Sequence, residues 1–191
     1  MMVILASGSP RRKEILDSHG IHAKIIKPDM DEHIPQAFSD LLTVEQTVMY
    51  LALKKGLSVY QQMSTIDKSK SPKIISADTV VYDGTIIGKP ETKGEAINTL
   101  TSLKGKSHQV LTGVAILDSS NGQGEILYDI STVTFKDYSL EEIEDYIEND
   151  QPFDKAGSYA IQSSWKKQVQ SLDGDIENVI GLPWYRIEPL I

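Results

Sequence analysis

Two adjacent arginines follow a tight turn near the start of the chain. Residues 7–12 (SGSPRR) come after a short apolar run and predict a helix start, with Ser9 as the N-cap and Pro10 at the first helical position. A helix N-terminus offers backbone N–H groups and partial positive charge, and Arg11 and Arg12 add forked donors, so the segment suits a phosphate. A capped surface helix with solvated arginines explains the segment equally well.

Lys55 lies within the apolar stripe of a second predicted helix, residues 43–62. The apolar members of this stripe, at spacings of three and four, are Val44, Val48, Leu51, Ala52 and Val59. An inward-facing lysine either extends its ammonium group to the surface or meets an anion, because an unpaired buried charge is costly. The neighbouring Lys54 is predicted to point away from the stripe.

Asp78 interrupts a long β-branched run, residues 73–82, which predicts a buried strand. Aspartate is disfavoured in strands, and its burial is costly without a partner. The carboxylate is therefore a candidate for metal binding or catalysis. The alternative is a strand end or bulge at which Asp78 caps a neighbouring loop.

Other polar residues stand in segments punctuated by glycine or proline, and none is diagnostic alone. They are Glu32, Lys89, Lys155 and Gln162. His108 is predicted to be structural, because the four histidines show no metal-ligand spacing. Residues 105–107 (GKS) mimic the end of a P-loop, but Leu100 stands where that motif needs glycine. The sequence contains no GxGxxG, HExxH or GxSxG motif, which leaves dinucleotide, zinc-protease and serine-hydrolase functions without support.

The elements that must position these residues alternate between strands and helices. Strands are predicted at residues 3–6, 22–27, 73–82, 85–88, 108–117, 125–136 and 169–172. Helices are predicted at residues 10–18, 43–62, 92–105, 139–149 and from 179 onward, with a break at Pro183. Three of the helices begin at capping boxes, Thr43 with Gln46, Thr92 with Glu95 and Ser139 with Glu142. Residues 28–40 and 63–72 read as irregular. Hairpins occur alongside crossovers, so we expect an α/β fold with a mixed twisted sheet and flanking helices.

Length, charge and composition narrow the function classes. The 191 residues suffice for one domain, including one built as two lobes. The net charge of −8 disfavours nucleic-acid binding, although a few converging cations can still bind a small anion. The chain has no cysteine, its apolar start is too short for a signal peptide, and no segment approaches the ~20 apolar residues of a membrane span. We expect a cytoplasmic protein.

Taken together, the motifs resemble the Maf-like nucleotide pyrophosphatases nearly from end to end. The matching stretches are LASGSPRR at 5–12, DE at 31–32, LA at 51–52 with Lys55, ADTVV at 77–81, GKP at 88–90, DKAG at 154–157, IQ at 161–162 and GLP at 181–183. The resemblance implies a single domain, residues 1–191, whose two lobes surround a central nucleotide-binding cleft. It implies a reaction in which metal-activated water attacks the α-phosphorus of a nucleoside triphosphate and pyrophosphate leaves. The SPRR form resembles the branch that acts on dTTP and UTP.

The resemblance also suggests roles for individual residues. Asp78 matches the proposed catalytic base, and we expect Asp78 and Glu32 to hold a divalent metal cation, Mg²⁺ or Mn²⁺. Arg12, Thr79 and Gln162 match the positions that tune base choice. The residues expected to contact the phosphates or the departing pyrophosphate are Ser9, Arg11, Arg12, Lys55, Lys89 and Lys155. Homodimerisation is expected from the family alone.

The chain departs from the family pattern at three places. Gly56 stands where alanine usually follows the lysine, Gln151 stands where glutamate usually precedes Pro152, and the loop at residues 63–72 is long. An alternative from another class is a non-catalytic nucleotide-binding regulator of cell division or stress. Release of pyrophosphate from a nucleoside triphosphate distinguishes the two.

Overall fold

The computed structural model describes residues 2–64 and 70–191. The centre of the loop predicted at residues 63–72 therefore lies outside the described residues. The chain divides into two compact units that exchange segments along the sequence. The first unit contains Met1–Asp78, Thr112–Asp129 and Gly181–Ile191, and the second contains Thr79–Leu111 and Ile130–Ile180.

The described residues form seven strands and seven α-helices. The strands are β1 (Val3–Leu5), β2 (Lys24–Ile25), β3 (Lys73–Tyr82), β4 (Ile86–Ile87), β5 (Ser107–Asp118), β6 (Gly124–Phe135) and β7 (Val169–Asp173). The α-helices are α1 (Pro10–Ser18), α2 (Gln36–Ser39), α3 (Val44–Gln62), α4 (Lys93–Leu103), α5 (Leu140–Asp150), α6 (Ile176–Ile180) and α7 (Trp184–Ile187). Short 3₁₀ helices cover Pro152–Asp154, Ala156–Ser158, Ser164–Gln168 and Glu188–Leu190.

The strands form a mixed sheet in the order β2-β1-β3-β5-β6-β7, with β4 paired to β3. Strand β1 is parallel to both β2 and β3, whereas the pairs β3–β4 and β6–β7 are antiparallel. Strands β3, β5 and β6 each contribute residues to both units. The prediction of an α/β fold with a mixed sheet and flanking helices is confirmed.

The three predicted capping boxes are largely correct, with one difference in detail. The capping boxes at Thr43 and Ser139 are complete. At Thr92 only half of the box forms, because Thr92 accepts the backbone N–H of Glu95 while the Glu95 carboxylate accepts the backbone N–H of Glu91. A neighbouring N–H group thus competes for the carboxylate that the box would use.

Three segments differ from the predicted elements. Strand β2 covers only Lys24–Ile25 rather than residues 22–27. The short helix α2 lies in the segment predicted to be irregular, and the C-terminal tail forms two short helices on either side of the expected break. All three are short elements at which propensity is a weak guide.

In the first unit, helix α3 lies very close to the sheet. A Cβ added to Gly113 of β5 would come within 2.3 Å of the backbone of Val48 in α3. A Cβ added to Gly56 of α3 would come within 2.8 Å of the Ser76 hydroxyl oxygen in β3. The contact at Gly113 requires glycine because it is with backbone atoms, and the contact at Gly56 leaves little room for a side chain. Together they bring α3 close enough for its inward side chains to reach those of β3.

The second unit has an aromatic core that includes Phe135, Tyr138, Tyr159 and Trp165. His108 is buried within it, its Nε2 lies 2.8 Å from the Tyr159 hydroxyl, and its ring packs on Phe135. Burial lowers the pKa of His108 to about 4, so the ring is neutral at pH 7. These contacts agree with the structural role predicted for His108. Across the described ranges, no helix has the length and apolar character needed to cross a membrane.

Candidate active site

Lys55 joins two carboxylates in the first unit. Its Nζ lies 2.6 Å from Asp78 Oδ1 and 3.1 Å from Glu32 Oε1. The side chains of Lys55 and Asp78 are only 9% and 12% exposed, whereas that of Glu32 is 54% exposed. Of the two possibilities for the inward-facing lysine, extension to the surface or contact with an anion, the structure shows the second.

The strand and the helix position this ion pair through neighbouring contacts. Side chains alternate along β3, so Ser76 and Asp78 lie on the same face. The Ser76 hydroxyl donates to the backbone carbonyl of Ala52 in α3 at 2.7 Å, and Asp78 meets Lys55 one helical turn later. Asp78 lies inside β3 and binds a helix side chain, so its interpretation as a loop cap at a strand end is wrong.

The turn after β1 lies beside the part of β3 that carries Asp78. Leu5 pairs in register with Ile75 of β3, which brings the following turn beside the segment that carries Asp78. Ligand sites in α/β proteins commonly form in the loops that follow parallel strands. The sequence placed the phosphate-binding candidate and the buried aspartate 66 or more positions apart, and strand pairing brings their segments together.

Ser9 is not the side-chain cap that the sequence predicts. It occupies the N-cap position of α1, but its hydroxyl makes no cap hydrogen bond. The Ser7 hydroxyl oxygen instead accepts the Ser9 backbone N–H at 3.1 Å and Arg12 Nη1 at 3.2 Å. The Ser9 side chain therefore does not cap the first turn of α1, and the start of this helix carries the partial positive charge that favours an anion.

Arg12 is a half-buried cation beside this turn. Its Nε donates to the backbone carbonyl of Gly181 at 2.8 Å. Burial lowers the pKa of Arg12 most strongly, the negative charge of Asp78 opposes that effect, and Arg11 adds a smaller lowering. Arginine stays charged across the physiological range in any case, so the site keeps its positive charge.

Lys54 does not simply point into solvent. Its Nζ donates to the backbone carbonyl of Asp31 at 2.6 Å, while Lys55 binds the carboxylate of Glu32. The two adjacent lysines therefore contact the same loop, Lys54 through a backbone carbonyl and Lys55 through a side-chain carboxylate. Only Lys55 also reaches Asp78.

The second unit contains the other predicted residues, Thr79, Lys89, Lys155 and Gln162. A backbone hydrogen bond of 3.1 Å from Gly157 to Gly88 ties the DKAG and GKP segments together. Gly157 also packs on β3, where an added Cβ would come within 2.6 Å of the side chain of Val81. Lys155 Nζ lies 2.5 Å from Asp154 Oδ1 in a largely buried position, whereas Lys89 and Gln162 are exposed.

The ten predicted site residues thus fall into two sets. The first unit holds Ser9, Arg11, Arg12, Glu32, Lys55 and Asp78, and the second holds Thr79, Lys89, Lys155 and Gln162. Two groups that contact Arg12 were missed from the sequence, the Ser7 hydroxyl and the Gly181 carbonyl. Ser7 carried the weak signal of a polar residue directly after a buried strand, but a backbone carbonyl leaves no signal in a sequence.

Gln151 has a structural role that explains one departure from the family pattern. It ends helix α5 in the left-handed conformation, with φ 45°. Its side-chain amide donates to the carbonyl oxygens of Ile147 and Glu148 at 3.1 and 2.9 Å. An amide can cap the carbonyl end of a helix, whereas a carboxylate has no proton to donate there.

Asp78 and Glu32 are the carboxylates available to a metal in the first unit's site. They already converge on one cation, the Lys55 ammonium group, and their oxygens are the ligands that Mg²⁺ and Mn²⁺ prefer. The described part of the chain contains no group of three or more His, Cys, Asp or Glu residues that could hold a metal by itself. The donor set therefore fits a divalent ion that takes its remaining oxygens from water and from substrate phosphates, as Mg²⁺ usually does.

These observations define an α/β protein in which the start of a helix, with two arginines, lies beside a buried Lys-Asp pair. The chain belongs to the Maf-like protein family, whose model matches residues 2–191. This confirms the resemblance drawn from the motifs.

The curated relatives are similar over nearly their whole length. A dTTP/UTP pyrophosphatase from Caldicellulosiruptor bescii is 43% identical over 190 residues, which cover 99% of this chain and 92% of the relative. A dTTP/UTP pyrophosphatase from Clostridioides difficile (strain 630) is 40% identical over 192 residues, 100% of this chain and 94% of the relative. A solved nucleoside-triphosphatase (dITP/XTP pyrophosphatase) from Mycobacterium abscessus is 9% identical, with a TM-score of 0.44 over 71% of this chain and 74% of that chain. That last likeness is too weak to support a conclusion.

Proposed function

We propose that this protein is a nucleoside triphosphate pyrophosphatase that hydrolyses dTTP and UTP to the monophosphate and pyrophosphate. The observation that carries the proposal is the buried Lys55, which holds Asp78 and Glu32 together near Arg12. Relatives at 40% and 43% identity carry the name of this activity, and the chain covers more than nine tenths of each. Enzymes of phosphoryl chemistry work mainly by positioning and by stabilising charge, and this cluster supplies groups for both.

The phosphates are bound by the turn and the first turn of α1. Arg11 and Arg12 supply the charge, and the helix start supplies backbone N–H groups that the Ser9 side chain does not occupy. A planar guanidinium group binds two phosphate oxygens at once, which orients the triphosphate as well as attracting it. Binding in this place sets the α-phosphorus near Asp78.

Asp78 orients the attacking water and accepts its proton. The bond of 2.6 Å to Lys55 fixes one carboxylate oxygen, so the carboxylate cannot turn freely. Lys55 also places a positive charge where the departing pyrophosphate develops negative charge. One buried pair therefore serves both the attack and the leaving group.

Asp78 and Glu32 are also the residues that would hold Mg²⁺ or Mn²⁺. Such an ion, when bound, neutralises phosphate charge and makes a coordinated water easier to deprotonate at neutral pH. The protein's own part is to hold the two carboxylates close together through Lys55. We expect EDTA to abolish turnover.

The residues of the second unit have roles that follow from their motifs. Lys89 and Lys155 neutralise phosphate charge, and Thr79 and Gln162 contribute to base choice together with Arg12. The bond between the Gly88 and Gly157 backbones supports this assignment, since it holds the segments of the two lysines next to each other. We propose in addition that the protein acts in the cytoplasm, which the absence of cysteine supports.

The test incubates the purified protein with dTTP, UTP, dCTP and dATP in the presence of Mg²⁺ or Mn²⁺. We expect pyrophosphate and the monophosphate from dTTP and UTP, with little product from the other two nucleotides. Orthophosphate with a nucleoside diphosphate would contradict the reaction. Tight binding of dTTP without any product would favour the non-catalytic regulator.

A further inference from the structure

Arg12 is held by two groups from opposite ends of the sequence. Its Nε–H donates to the backbone carbonyl oxygen of Gly181 at 2.8 Å, and its Nη1 donates to the hydroxyl oxygen of Ser7 at 3.2 Å. All three residues belong to the first unit. Because a guanidinium group is planar, hydrogen bonds at Nε and at Nη1 fix the plane of the whole group.

The Gly181 carbonyl is itself fixed against α1. Gly181 has a φ of +123°, a conformation that side chains rarely adopt. Leu182 follows it fully buried, and the ring of Trp184 stacks on that of His19 with centroids 4.4 Å apart and planes 7° from parallel. His19 directly follows the last residue of α1, so one short C-terminal segment contacts this helix at its first turn and at its end.

A guanidinium that is already oriented binds phosphate better than a mobile one. The entropy cost of fixing the side chain is then part of the free energy of folding and does not weaken binding. The two acceptors differ in kind, because one is a hydroxyl in the turn itself and the other is a backbone carbonyl that only the tertiary fold supplies. They constrain Arg12 from separate directions.

We propose that the carbonyl oxygen of Gly181 and the hydroxyl of Ser7 are positioning groups that orient the Arg12 guanidinium for substrate phosphates. The inference rests on the proposed function and deepens it, since it names how the phosphate-binding arginine is held. Both groups act through Arg12 and not on the substrate. Any effect that runs through Arg12 must therefore be lost when Arg12 is replaced, whereas the hydrogen bond from the Ser9 backbone N–H to the Ser7 hydroxyl oxygen does not involve Arg12.

The first test needs no activity. The chain contains three arginines, Arg11, Arg12 and Arg186, so an NMR spectrum of arginine Nε–H groups is simple, and the Arg12 signal is the one lost in Arg12→Lys. In the ligand-free protein, we expect Gly181→Ala to speed exchange of this proton with water by about tenfold or more, the equivalent of one lost hydrogen bond. Gly20→Ala is the matched control, because Gly20 also has a positive φ, +78°, and an added Cβ there meets open space. Unchanged exchange in Gly181→Ala would overturn the inference.

The second test uses dTTP as the probe and measures KM and kcat. We expect Gly181→Ala and Ser7→Ala each to raise KM about tenfold and to change kcat less, because they weaken binding to the phosphates. In the Arg12→Lys background, Gly181→Ala should alter KM by less than about twofold. Ser7→Ala should alter KM less there than in the wild-type background, because it still loses the bond from the Ser9 backbone N–H. Equal effects in both backgrounds would show that the two groups act independently of Arg12, and the proposal would fail.

The two tests separate the inference from the function on which it rests. A wild-type protein that releases no pyrophosphate contradicts the proposed function, whereas proton exchange in the absence of nucleotide judges the positioning role by itself. If Gly181→Ala does not fold, Ser7→Ala carries both measurements, with exchange followed at the Arg12 Nη groups. Exchange and KM that both match the wild type in Ser7→Ala would then refute the proposal.

Discussion

Replacing Asp78 with asparagine tests the centre of the proposed site. The change keeps the size of the side chain but removes its charge from a position 2.6 Å from Lys55 Nζ. If Asp78 orients and deprotonates water, kcat falls by a factor on the order of 10² or more, equivalent to about 2.7 kcal/mol of barrier. Binding of dTTP should survive, because the phosphate-binding arginines are unchanged.

The structure also sets the expected loss of stability. Removing one member of a buried ion pair commonly costs about 3–5 kcal/mol. Lys55 retains Glu32 at 3.1 Å, and the asparagine oxygen can still accept a hydrogen bond, so we expect a smaller loss of about 1–2 kcal/mol. At about 2–4 °C per kcal/mol for a protein of this size, Tm falls by roughly 2–8 °C. A lowered Tm alone therefore does not distinguish a catalytic Asp78 from a structural one.

Ser76→Ala is the matched control for this experiment. Ser76 lies two residues before Asp78 on the same face of β3 and binds the same helix through the Ala52 carbonyl. Its loss should lower Tm similarly and leave kcat within about threefold of the wild type, because the cost is one hydrogen bond. The assay measures pyrophosphate release per folded molecule and Tm on each sample. If Asp78→Asn behaves like Ser76→Ala, with a lowered Tm and near-normal kcat, Asp78 is not catalytic.

Two further changes test how α3 serves the site. Lys55→Ala should lower kcat/KM by about 10²-fold. Lys54→Ala loses only a bond to the Asp31 carbonyl and should lower kcat/KM by less than about tenfold. Equal small effects of the two changes in the pyrophosphate assay would contradict the role of Lys55. Gly56→Ala should reduce the free energy of unfolding by about 1–3 kcal/mol, because its Cβ would lie 2.8 Å from the Ser76 hydroxyl oxygen. In a Ser76→Ala background that loss should shrink, and additive losses in chemical denaturation would refute the steric explanation.

Local patterns in the sequence were enough to locate the main chemical groups. The apolar stripe of the second predicted helix placed Lys55 on the inward face, and the β-branched run made Asp78 a candidate for a buried carboxylate. Both predictions rest on short-range periodicity, which the backbone geometry of helices and strands imposes. The order of the motifs then identified the family, which the match over residues 2–191 confirms.

The sequence could not show which of these groups touch. That Lys55 binds Asp78 depends on how closely α3 approaches β3, and this distance is set by Gly113 and Gly56. The predicted N-cap position of Ser9 is confirmed, but its hydroxyl makes no cap hydrogen bond, because which hydroxyl binds depends on a turn conformation that side-chain type alone does not decide.

The sequence by itself determined which residues carry charge, which of them face inward and which family the chain resembles. Only the tertiary structure decided that the Arg12 side chain binds the Gly181 carbonyl, 169 positions away along the chain. The physical reason is that periodicity acts over a few residues, whereas contacts between distant segments depend on strand order and helix packing. A backbone carbonyl is also present at every position, so no residue type marks the one that Arg12 binds.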